Sequence, residues 1–391
     1  MLGLLVVSVT INYLDRGALS VAAPLLTREL ELSAAQMGLL LSSFFWTYAT
    51  FQLVAGWLVD RFPVKWVYAI GYLVWSLATA AVGIASGLPE LLLARFVLGM
   101  GESVAYPACS KIIVTAFKES QRGTANALVD AGSKVGPGLS TMLGGLAIAA
   151  YGWRGLFVVL GLGSLVWLAP WLWAAPSAES SADTEIGPGW MALLGKSQVW
   201  AASLGMFTYG YSNYFLLTWL PSYLIKERGF SMAEMATIGS VPFWIMAVSS
   251  LFSGMLSDRF IRGGAAAGVV RLRFAVTGLL GCGAAILAAP AVGNPTHSLI
   301  LLAVAGAFLG VYSSNCWAIT QTLAGPLAAG RWTGFQNFIG NLGGVAAPLI
   351  TGWIVTATGS FLMAFWVAGG LLGLGVVIYQ FWLRRVEPVE W

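Results

Sequence analysis

Long apolar segments make up most of the chain, and short stretches with charged or turn-forming residues separate them. Each segment is about 20 residues or longer, the length that a helix needs to cross a hydrocarbon core of about 30 Å. Runs such as 299–309 are apolar on every face, whereas a transmembrane β-strand alternates apolar and polar residues. The pattern therefore predicts an all-α integral membrane protein. Its twelve predicted spans lie near 2–26, 34–58, 64–86, 89–114, 123–150, 154–174, 199–225, 233–257, 269–291, 296–322, 332–356 and 359–383.

The most polar stretch of the chain separates the sixth predicted span from the seventh. It runs from Pro176 to Lys196 and is rich in serine, proline and acidic residues, a composition typical of linkers. We therefore expect an N-terminal six-helix bundle over 1–175, a cytoplasmic linker over 176–198 and a C-terminal six-helix bundle over 199–391.

Composition narrows the class of protein further. Of 391 residues, 58% are hydrophobic and only 9% are charged, which excludes an ordinary soluble enzyme. The three cysteines, Cys109, Cys282 and Cys316, lie far apart without metal-ligand spacing, so we expect no disulfide framework, metal or cofactor. The sequence has no basic patch of the kind that binds nucleic acid, so we expect no nucleic-acid partner. Residues 1–26 lack a basic start and a cleavage site, and we expect this segment to stay in the membrane.

The lysines and arginines between the spans are distributed unevenly. If both termini are cytoplasmic, twelve of these cations lie on the cytoplasmic side and four on the other, which satisfies the positive-inside rule. We therefore expect a multi-pass protein of the cell inner (plasma) membrane in that orientation. Four cations remain inside the spans: Arg16, Arg95, Lys111 and Lys134.

A seven-residue pattern at the end of the second span recurs at the end of the eighth. The first copy runs from Gly56 to Phe62 and the second from Gly254 to Phe260, 198 residues later. A glycine allows close helix packing, and an acid-base pair at a helix end can hold neighbouring helices in one conformation. We predict conformational latches at Asp60 with Arg61 and at Asp258 with Arg259. A solvated charged loop is the alternative.

Twelve spans, a central linker and this doubled pattern resemble the major facilitator superfamily, in which two halves rock about a midplane site. Four further motifs resemble its anion:cation symporter family, which includes bacterial sugar-acid:proton symporters, sialin and the vesicular glutamate carriers. They are Asn12-Tyr13-Leu14-Asp15-Arg16, Tyr48-x3-Gln52, Arg95-Phe96-x2-Gly99-x-Gly101-Glu102 and Gly340-Asn341-x-Gly343-Gly344.

Besides Lys111, six charged residues inside the spans need an explanation, because each costs at least about 2.5–3.5 kcal/mol at the bilayer centre. They are Asp15, Arg16, Arg95, Glu102, Asp130 and Lys134, and their formal sum is zero. The resemblance implies that Arg16 binds the substrate carboxylate, that Asp15 and Glu102 carry the coupling proton, and that Arg95 tunes the proton site. A buried ion-pair network that only stabilises the bundle is the alternative.

The fifth span carries a polar stripe in which Asn126, Asp130 and Lys134 are spaced four apart. Acid before base at this spacing is a favourable helical pair. Asp130 and Lys134 either neutralise each other or add a second cation to a substrate site, which would favour polyanionic or hydroxylated acids.

Neutral polar and aromatic residues complete the predicted substrate site. Hydroxyls and amides can bind sugar hydroxyls, and aromatic rings can cover a sugar ring, although packing and interface anchoring are alternatives. We predict substrate contacts at Tyr13, Tyr48, Gln52, Tyr209, Ser314, Asn315 and Asn337.

The favoured function is a secondary transporter that imports a small organic anion, a sugar acid or related carboxylate, with protons by alternating access. A proton-coupled exporter of drugs or metabolites is the alternative, suggested by a partial glycine-proline motif at Gly132-x3-Gly136-Pro137. No nucleophile-base set or phosphate loop indicates an enzyme. We expect a monomer whose partners are the anion, protons and the lipid bilayer.

Overall fold

In the computed structural model, residues 1–32, 34–175, 187–230 and 241–391 are described, and they are almost entirely helical. The eight residues 233–240 of the eighth predicted span and the linker residues 176–186 lie outside this part of the chain. The helices are α1 Leu2–Glu29, α2 Ala34–Arg61, α3 Val64–Ile84, α4 Leu88–Glu102, α5 Ala105–Ala116, α6 Glu119–Ser164, α7 Leu168–Ala174, α8 Trp190–Leu194, α9 Ser197–Lys226, α10 Val241–Arg262, α11 Ala267–Ala288, α12 Pro295–Thr358 and α13 Leu362–Val377.

Two of these helices each contain two predicted spans. In α6 the chain turns at Gly152 (φ 68°, ψ 173°), and in α12 it turns at Gly325 (φ 61°, ψ −176°). This backbone conformation is accessible to glycine because it has no Cβ. The turns separate the fifth span from the sixth and the tenth from the eleventh. At the first turn, hydrogen bonds from Trp153 and Arg154 hold the pKa of Glu29 at the end of α1 below its ordinary value.

The predicted fourth span is broken and is not one continuous helix. α4 ends at Glu102, and α5 begins at Ala105. Pro107 accounts for the break, since it has no N–H to donate to the carbonyl of Ser103 and its ring clashes with a helical carbonyl there. The break places Glu102 at a helix end. The predicted sixth span continues beyond α6 through a 3₁₀ turn, Leu165–Trp167, into α7.

Apolar helices of membrane-spanning length dominate the described residues. Eight of the helices there are long and apolar enough to cross a bilayer. The last begins at Leu362 and continues beyond α13 through a π-helical turn, Ile378–Leu383.

The chain forms two compact units. Unit 1 comprises 1–112, 129–187 and 327–334, and unit 2 comprises 113–128, 188–326 and 335–391. Each unit therefore includes a short segment from beyond the predicted bundle boundary. The predicted division into bundles at 1–175 and 199–391 stays a prediction.

Each unit packs around its own helices. In unit 1, α4 lies against α2 and α3, and a stack of aromatic rings, Tyr72, Trp167 and Trp171, joins α3 to α7. In unit 2, α13 lies against α9 and α11. Small residues at these contacts let helix backbones approach closely.

A close approach of α3 and α6 supplies a matched test of this packing. A Cβ at Gly161 would lie 2.3 Å from the backbone nitrogen of Ala80 and 2.5 Å from the carbonyl oxygen of Ser76. We expect Gly161→Ala to lower the melting temperature of the purified protein, by an overpacking cost of about 1–3 kcal/mol.

Gly163→Ala is the control, because no described atom lies within 4 Å of a Cβ there. This substitution should leave the melting temperature unchanged or raise it, since alanine favours a helix over glycine by about 1 kcal/mol. Equal melting temperatures for the two variants would contradict the close contact.

Candidate functional site

Unit 1 brings together two of the predicted charged residues as an ion pair. Arg16 of α1 donates from Nε to Oε2 of Glu102 at the end of α4, over 2.7 Å. The Arg16 side chain is 12% exposed, and that of Glu102 is fully buried. The guanidinium assigned to the substrate and the carboxylate assigned to the proton therefore contact each other directly.

Three aromatic rings surround the Arg16 guanidinium. Its Cζ lies 4.5 Å from the ring centre of Tyr13, 4.7 Å from Phe44 and 4.2 Å from Tyr48. Such contacts attract a cation through the negative faces of the rings. Phe44 was missed in the sequence analysis. Its position four residues before Tyr48, on the same face of α2, is the signal that could have found it.

Arg95 shares one of these rings with Arg16. Its Cζ lies 5.0 Å from the centre of Phe44, and the side chain is buried in unit 1. Phe44 is therefore in contact with both guanidinium groups. The two arginines stand on different helices, α1 and α4, so their proximity is a property of the fold and not of sequence spacing.

Asp15 is buried in unit 1 without an ion-pair partner among the described side chains. Thr79 of α3 donates a hydrogen bond to its Oδ2 over 3.2 Å. Asp15 and Arg16 are adjacent in sequence and project about 100° apart from α1. They therefore meet different helices. The sequence pattern does not identify Thr79 as a site residue, because nothing local distinguishes it.

Several polar atoms around the pair are buried without a hydrogen-bonding partner in the described part of the chain. They include Nη2 of Arg16, Oε1 of Glu102, and Nε and Nη1 of Arg95; both amide atoms of Gln52, on α2, are also buried without a partner. A buried polar group without a partner costs about 1–3 kcal/mol. Each such group therefore needs an explanation.

Asp130 and Lys134 form the predicted ion pair along α6. The pair lies near the aromatic residues of the site, since Asp130 interacts electrostatically with Tyr106, whose hydroxyl is 3.2 Å from that of Tyr13. The pairing fits both alternatives, self-neutralisation and a second cation for the substrate. A role in binding stays a prediction.

In unit 2, Ser314 and Asn315 of α12 form hydrogen bonds with residues of other helices. Ser314 donates to the carbonyl of Ser250 over 3.3 Å, and Asn315 donates to Oγ of Ser253 over 2.8 Å. Both bonds join α12 to α10. These contacts show packing, and a substrate role for the two residues stays a prediction.

Tyr209 and Asn337 are also buried in unit 2. The Tyr209 ring stacks on Tyr312 with their centres 4.9 Å apart, and Asn337 accepts a hydrogen bond from Asn341 at its carbonyl over 2.7 Å. The structure gives each residue a neighbour within unit 2, and their predicted contacts with substrate are untested.

Asp60, in the first copy of the repeated pattern, is held within unit 1. It accepts hydrogen bonds from the backbone N–H groups of Gly330, over 3.0 Å, and Arg331, over 2.7 Å. Lys111 of α5 forms an ion pair with it over 3.2 Å. The glycine has the predicted packing role, since a Cβ at Gly56 would lie 2.6 Å from the Gly330 carbonyl oxygen.

Asp258, in the second copy, is held in the same way within unit 2. It accepts hydrogen bonds from the N–H groups of Gly123, over 3.1 Å, and Thr124, over 2.7 Å. Arg271 of α11 is its ion-pair partner, with 2.5 Å between Nη2 and Oδ1. A Cβ at Gly254 would lie 2.5 Å from the carbonyl oxygen of Gly123.

The cations of these two sites differ from those predicted. Lys111 and Arg271 bind the carboxylates, whereas Arg61 and Arg259, which follow the aspartates in sequence, are exposed. Adjacent residues on a helix point about 100° apart, so a buried aspartate and its neighbour do not share a partner. Lys111 already stood out as a cation inside a span. No local signal distinguished Arg271.

In the described residues, no group of three or more histidine, cysteine or acidic side chains could hold a metal ion. Asp15, Arg16, Arg95 and Glu102 are the charged residues on α1 and α4 at the candidate site. This set can hold an anion at a guanidinium and a proton at a carboxylate.

Comparison with known proteins matches the chain to one family and one fold. The family profile of the Major Facilitator Superfamily matches residues 5–348. The fucose:proton symporter of Escherichia coli has the same fold, with a TM-score of 0.76 at 15% identity, covering 97% of this chain and 98% of that one.

Curated relatives align along almost the whole chain. The hexuronate transporter of Bacillus subtilis is 34% identical over 395 residues, covering 97% of this chain and 92% of the relative. The probable sulfoacetate transporter of Cupriavidus necator is 30% identical over 400 residues, with the same coverage of 97% and 92%. The D-galactonate transporter of Escherichia coli is 28% identical over 412 residues and covers 98% and 95%.

These matches confirm the expected fold of twelve transmembrane helices in two six-helix halves. They also confirm that the protein is a transporter and not an enzyme. The chain belongs to the major facilitator superfamily and is a multi-pass membrane transporter.

Proposed function

We propose that the chain is a proton-coupled symporter of a small organic anion, a sugar acid or a related carboxylate, that works by alternating access. The observation that carries the proposal is the buried ion pair of Arg16 and Glu102, whose guanidinium retains an unbonded Nη2 inside a cage of aromatic rings. The names of the curated relatives, transporters of hexuronate and D-galactonate, support the substrate class.

A substrate carboxylate would compete with Glu102 for Arg16. A guanidinium binds a carboxylate best through two parallel N–H donors, and Nε is already engaged by Glu102. Protonation of Glu102 removes its negative charge and weakens the pair. Nε and Nη2 together are then available to the substrate, so that binding of a proton favours binding of the anion.

The balance of charge supports coupling for a second reason. Asp15, Arg16, Arg95 and Glu102 sum to zero, and burying one uncompensated charge in a low-dielectric interior costs several kcal/mol. An anion that enters with one proton leaves the site neutral. The same anion without a proton leaves a net negative charge, so the two ligands stabilise each other's binding.

Asp15 is a second place for the proton, since it is buried and has no described ion-pair partner. Arg95 acts on the same site, because its guanidinium contacts the Phe44 ring that the guanidinium of Arg16 also contacts. Gln52 supplies an amide with both atoms unbonded, a suitable partner for a sugar hydroxyl. Lys134 remains the candidate cation for a second anionic group on the substrate.

The glycines that suggested an exporter have a packing role that needs no export function. A Cβ at Gly132 would lie 2.9 Å from the Val6 carbonyl oxygen, and one at Gly136 would lie 2.7 Å from that of Thr10. Both glycines therefore let α6 approach α1. With this explanation, no observation favours the exporter over import of an anion.

The distribution of cations supports an inner-membrane location with both termini cytoplasmic. We further propose that the carboxylates of Asp60 and Asp258 act as latches, each holding the backbone of another span in one state of the transport cycle. We also propose that the transporter functions as a monomer.

Proton coupling can be separated from substrate binding by two carboxylate variants. In proteoliposomes, Asp15→Asn and Glu102→Gln should lose uptake driven by an imposed pH gradient and retain counterflow exchange, because an amide mimics the protonated acid. Uptake is measured with labelled hexuronate, galactonate and sulfoacetate.

Glu390→Gln is the control for this experiment, since this carboxylate is exposed at the end of the chain. It should transport like the unmodified protein. If both carboxylate variants lose exchange and driven uptake equally while keeping their melting temperature, the coupling role is wrong.

The anion role of Arg16 is tested by Arg16→Lys. Lysine keeps the charge but lacks the two-donor fork, so we expect an apparent affinity about 10–100-fold weaker in counterflow. Arg154→Lys is the matched control, because Arg154 is 40% exposed and pairs with Glu29. Unchanged affinity in Arg16→Lys would remove Arg16 from the binding site.

The latch is tested at Asp258. Asp258→Asn leaves the fully buried Arg271 without its counter-charge, at a cost of about 3–5 kcal/mol, and should lower the melting temperature. The double variant Asp258→Asn with Arg271→Gln should recover part of that loss. Arg259→Gln, at the exposed neighbouring position, should have no effect; destabilisation equal to that of Asp258→Asn would contradict the assignment of partners.

A further inference from the structure

A cavity of about 530 Å³ lies in unit 2, between the first turns of α11 and the segment that follows α13. Its lining combines cationic and apolar residues. Arg273, Arg384 and Arg385 supply three guanidinium groups, and the side chains of Val269, Leu272 and Val276 supply an apolar surface. Nothing in the proposed transport site uses these residues.

The cations of this cavity are available to a ligand. All three arginines are exposed, and none of them forms an ion pair with a described residue. Glu387 is the acidic residue of the lining, so the cavity carries an excess of positive charge. Arg271, two positions before Arg273 on α11, is by contrast buried and paired with Asp258.

The segment that carries Arg384 and Arg385 is held in place on both sides of the cavity. Val386 crosses α11 at Gly268, where a Cβ would lie 2.2 Å from the Val386 carbonyl oxygen. Farther on, the N–H of Val389 donates to the carbonyl of Leu323 over 2.9 Å. The two arginines therefore project from an anchored backbone.

Arg384 also has an unusual backbone conformation, with φ 53° and ψ −49°. A residue with a Cβ rarely adopts positive φ, and such conformations cluster at functional sites. Its Nε donates to the carbonyl of Phe381 over 2.6 Å. This bond restrains the guanidinium of Arg384 at the lining of the cavity.

The cavity lies where the apolar spans end. The apolar span of α11 begins at Ala267, and the last span ends at Leu383. Phe381 and Trp382 are 63% and 46% exposed next to it, and exposed aromatic residues are typical of the boundary between lipid tails and headgroups. Val269, one of the apolar residues of the lining, is 49% exposed.

We propose that this cavity binds the headgroup of an anionic phospholipid, with the phosphodiester at Arg273, Arg384 and Arg385 and an acyl chain along Val269 and Val276. Basic pockets at the ends of transmembrane helices recognise such headgroups. A free phosphate would use the guanidinium groups alone. The apolar residues of the lining, and the position of the cavity at the end of the spans, favour a ligand that also has a hydrocarbon tail.

The test uses the full chain purified in detergent. Binding of phosphatidylglycerol and of phosphatidylcholine is measured by native mass spectrometry and by the shift in melting temperature. Phosphatidylglycerol should bind and stabilise the protein, and phosphatidylcholine should do so weakly. The double variant Arg384→Gln with Arg385→Gln should bind phosphatidylglycerol roughly tenfold more weakly, because each arginine near a membrane surface contributes to the attraction.

Two further substitutions make the result specific to the cavity. Glu387→Gln removes the acidic residue of the lining and should strengthen phosphatidylglycerol binding. Lys226→Gln removes an exposed cation in the last turn of α9 and should leave binding unchanged. If the double variant is unstable without lipid, Arg273→Gln is measured in its place and should weaken binding in the same direction.

Inorganic phosphate is the competing ligand. Stabilisation by phosphate equal to that by phosphatidylglycerol, with the same loss in the arginine variants, would overturn the lipid assignment in favour of a soluble anion. Equal binding of phosphatidylglycerol to the unmodified protein and to the arginine variants would overturn the site itself.

Discussion

Hydrocarbon does not solvate charge, and the arrangement of charged side chains inside unit 1 follows from that constraint. Arg16 and Glu102 neutralise each other over 2.7 Å, and aromatic rings surround the remaining face of the guanidinium. Such a pair is stable only while it stays balanced, because removing one partner leaves an uncompensated buried charge. The proposed coupling uses this property, since an anion enters without an unpaired charge only when a proton enters with it.

The repeated pattern shows the same constraint at the ends of the spans. In each copy a buried aspartate receives two backbone N–H groups and one cation, and a glycine brings the partner backbone within reach. The glycine and the aspartate recur at equivalent positions. The cation does not, because Lys111 comes from α5 and Arg271 from α11. Each buried aspartate needs a cation to compensate its charge, and different helices can supply that cation.

Features that depend on local chemistry were predictable. Apolar length predicted the spans, and the breaks inside α6 and α12 occur at glycines because positive φ favours that residue. The break after Glu102 was missed although Pro107 signals it, since the surrounding apolar pattern outweighed one proline. Phe44 and Thr79 were missed for a different reason. Their contacts with Arg16 and Asp15 join different helices, and no local pattern records which helices meet.

The pattern along the chain is sufficient to place this protein in a membrane, to predict twelve spans and to identify the charged residues expected inside them. It also determined, through the helical repeat, which residues of one helix share a face. The partner of each face depends on how the helices pack against one another. Arg271 and Arg273 are two positions apart on α11, yet one is buried against Asp258 and the other is exposed at the lining of a cavity. The physical reason is that helix–helix packing positions side chains from distant parts of the chain, and it is this packing that places Arg16 beside Glu102.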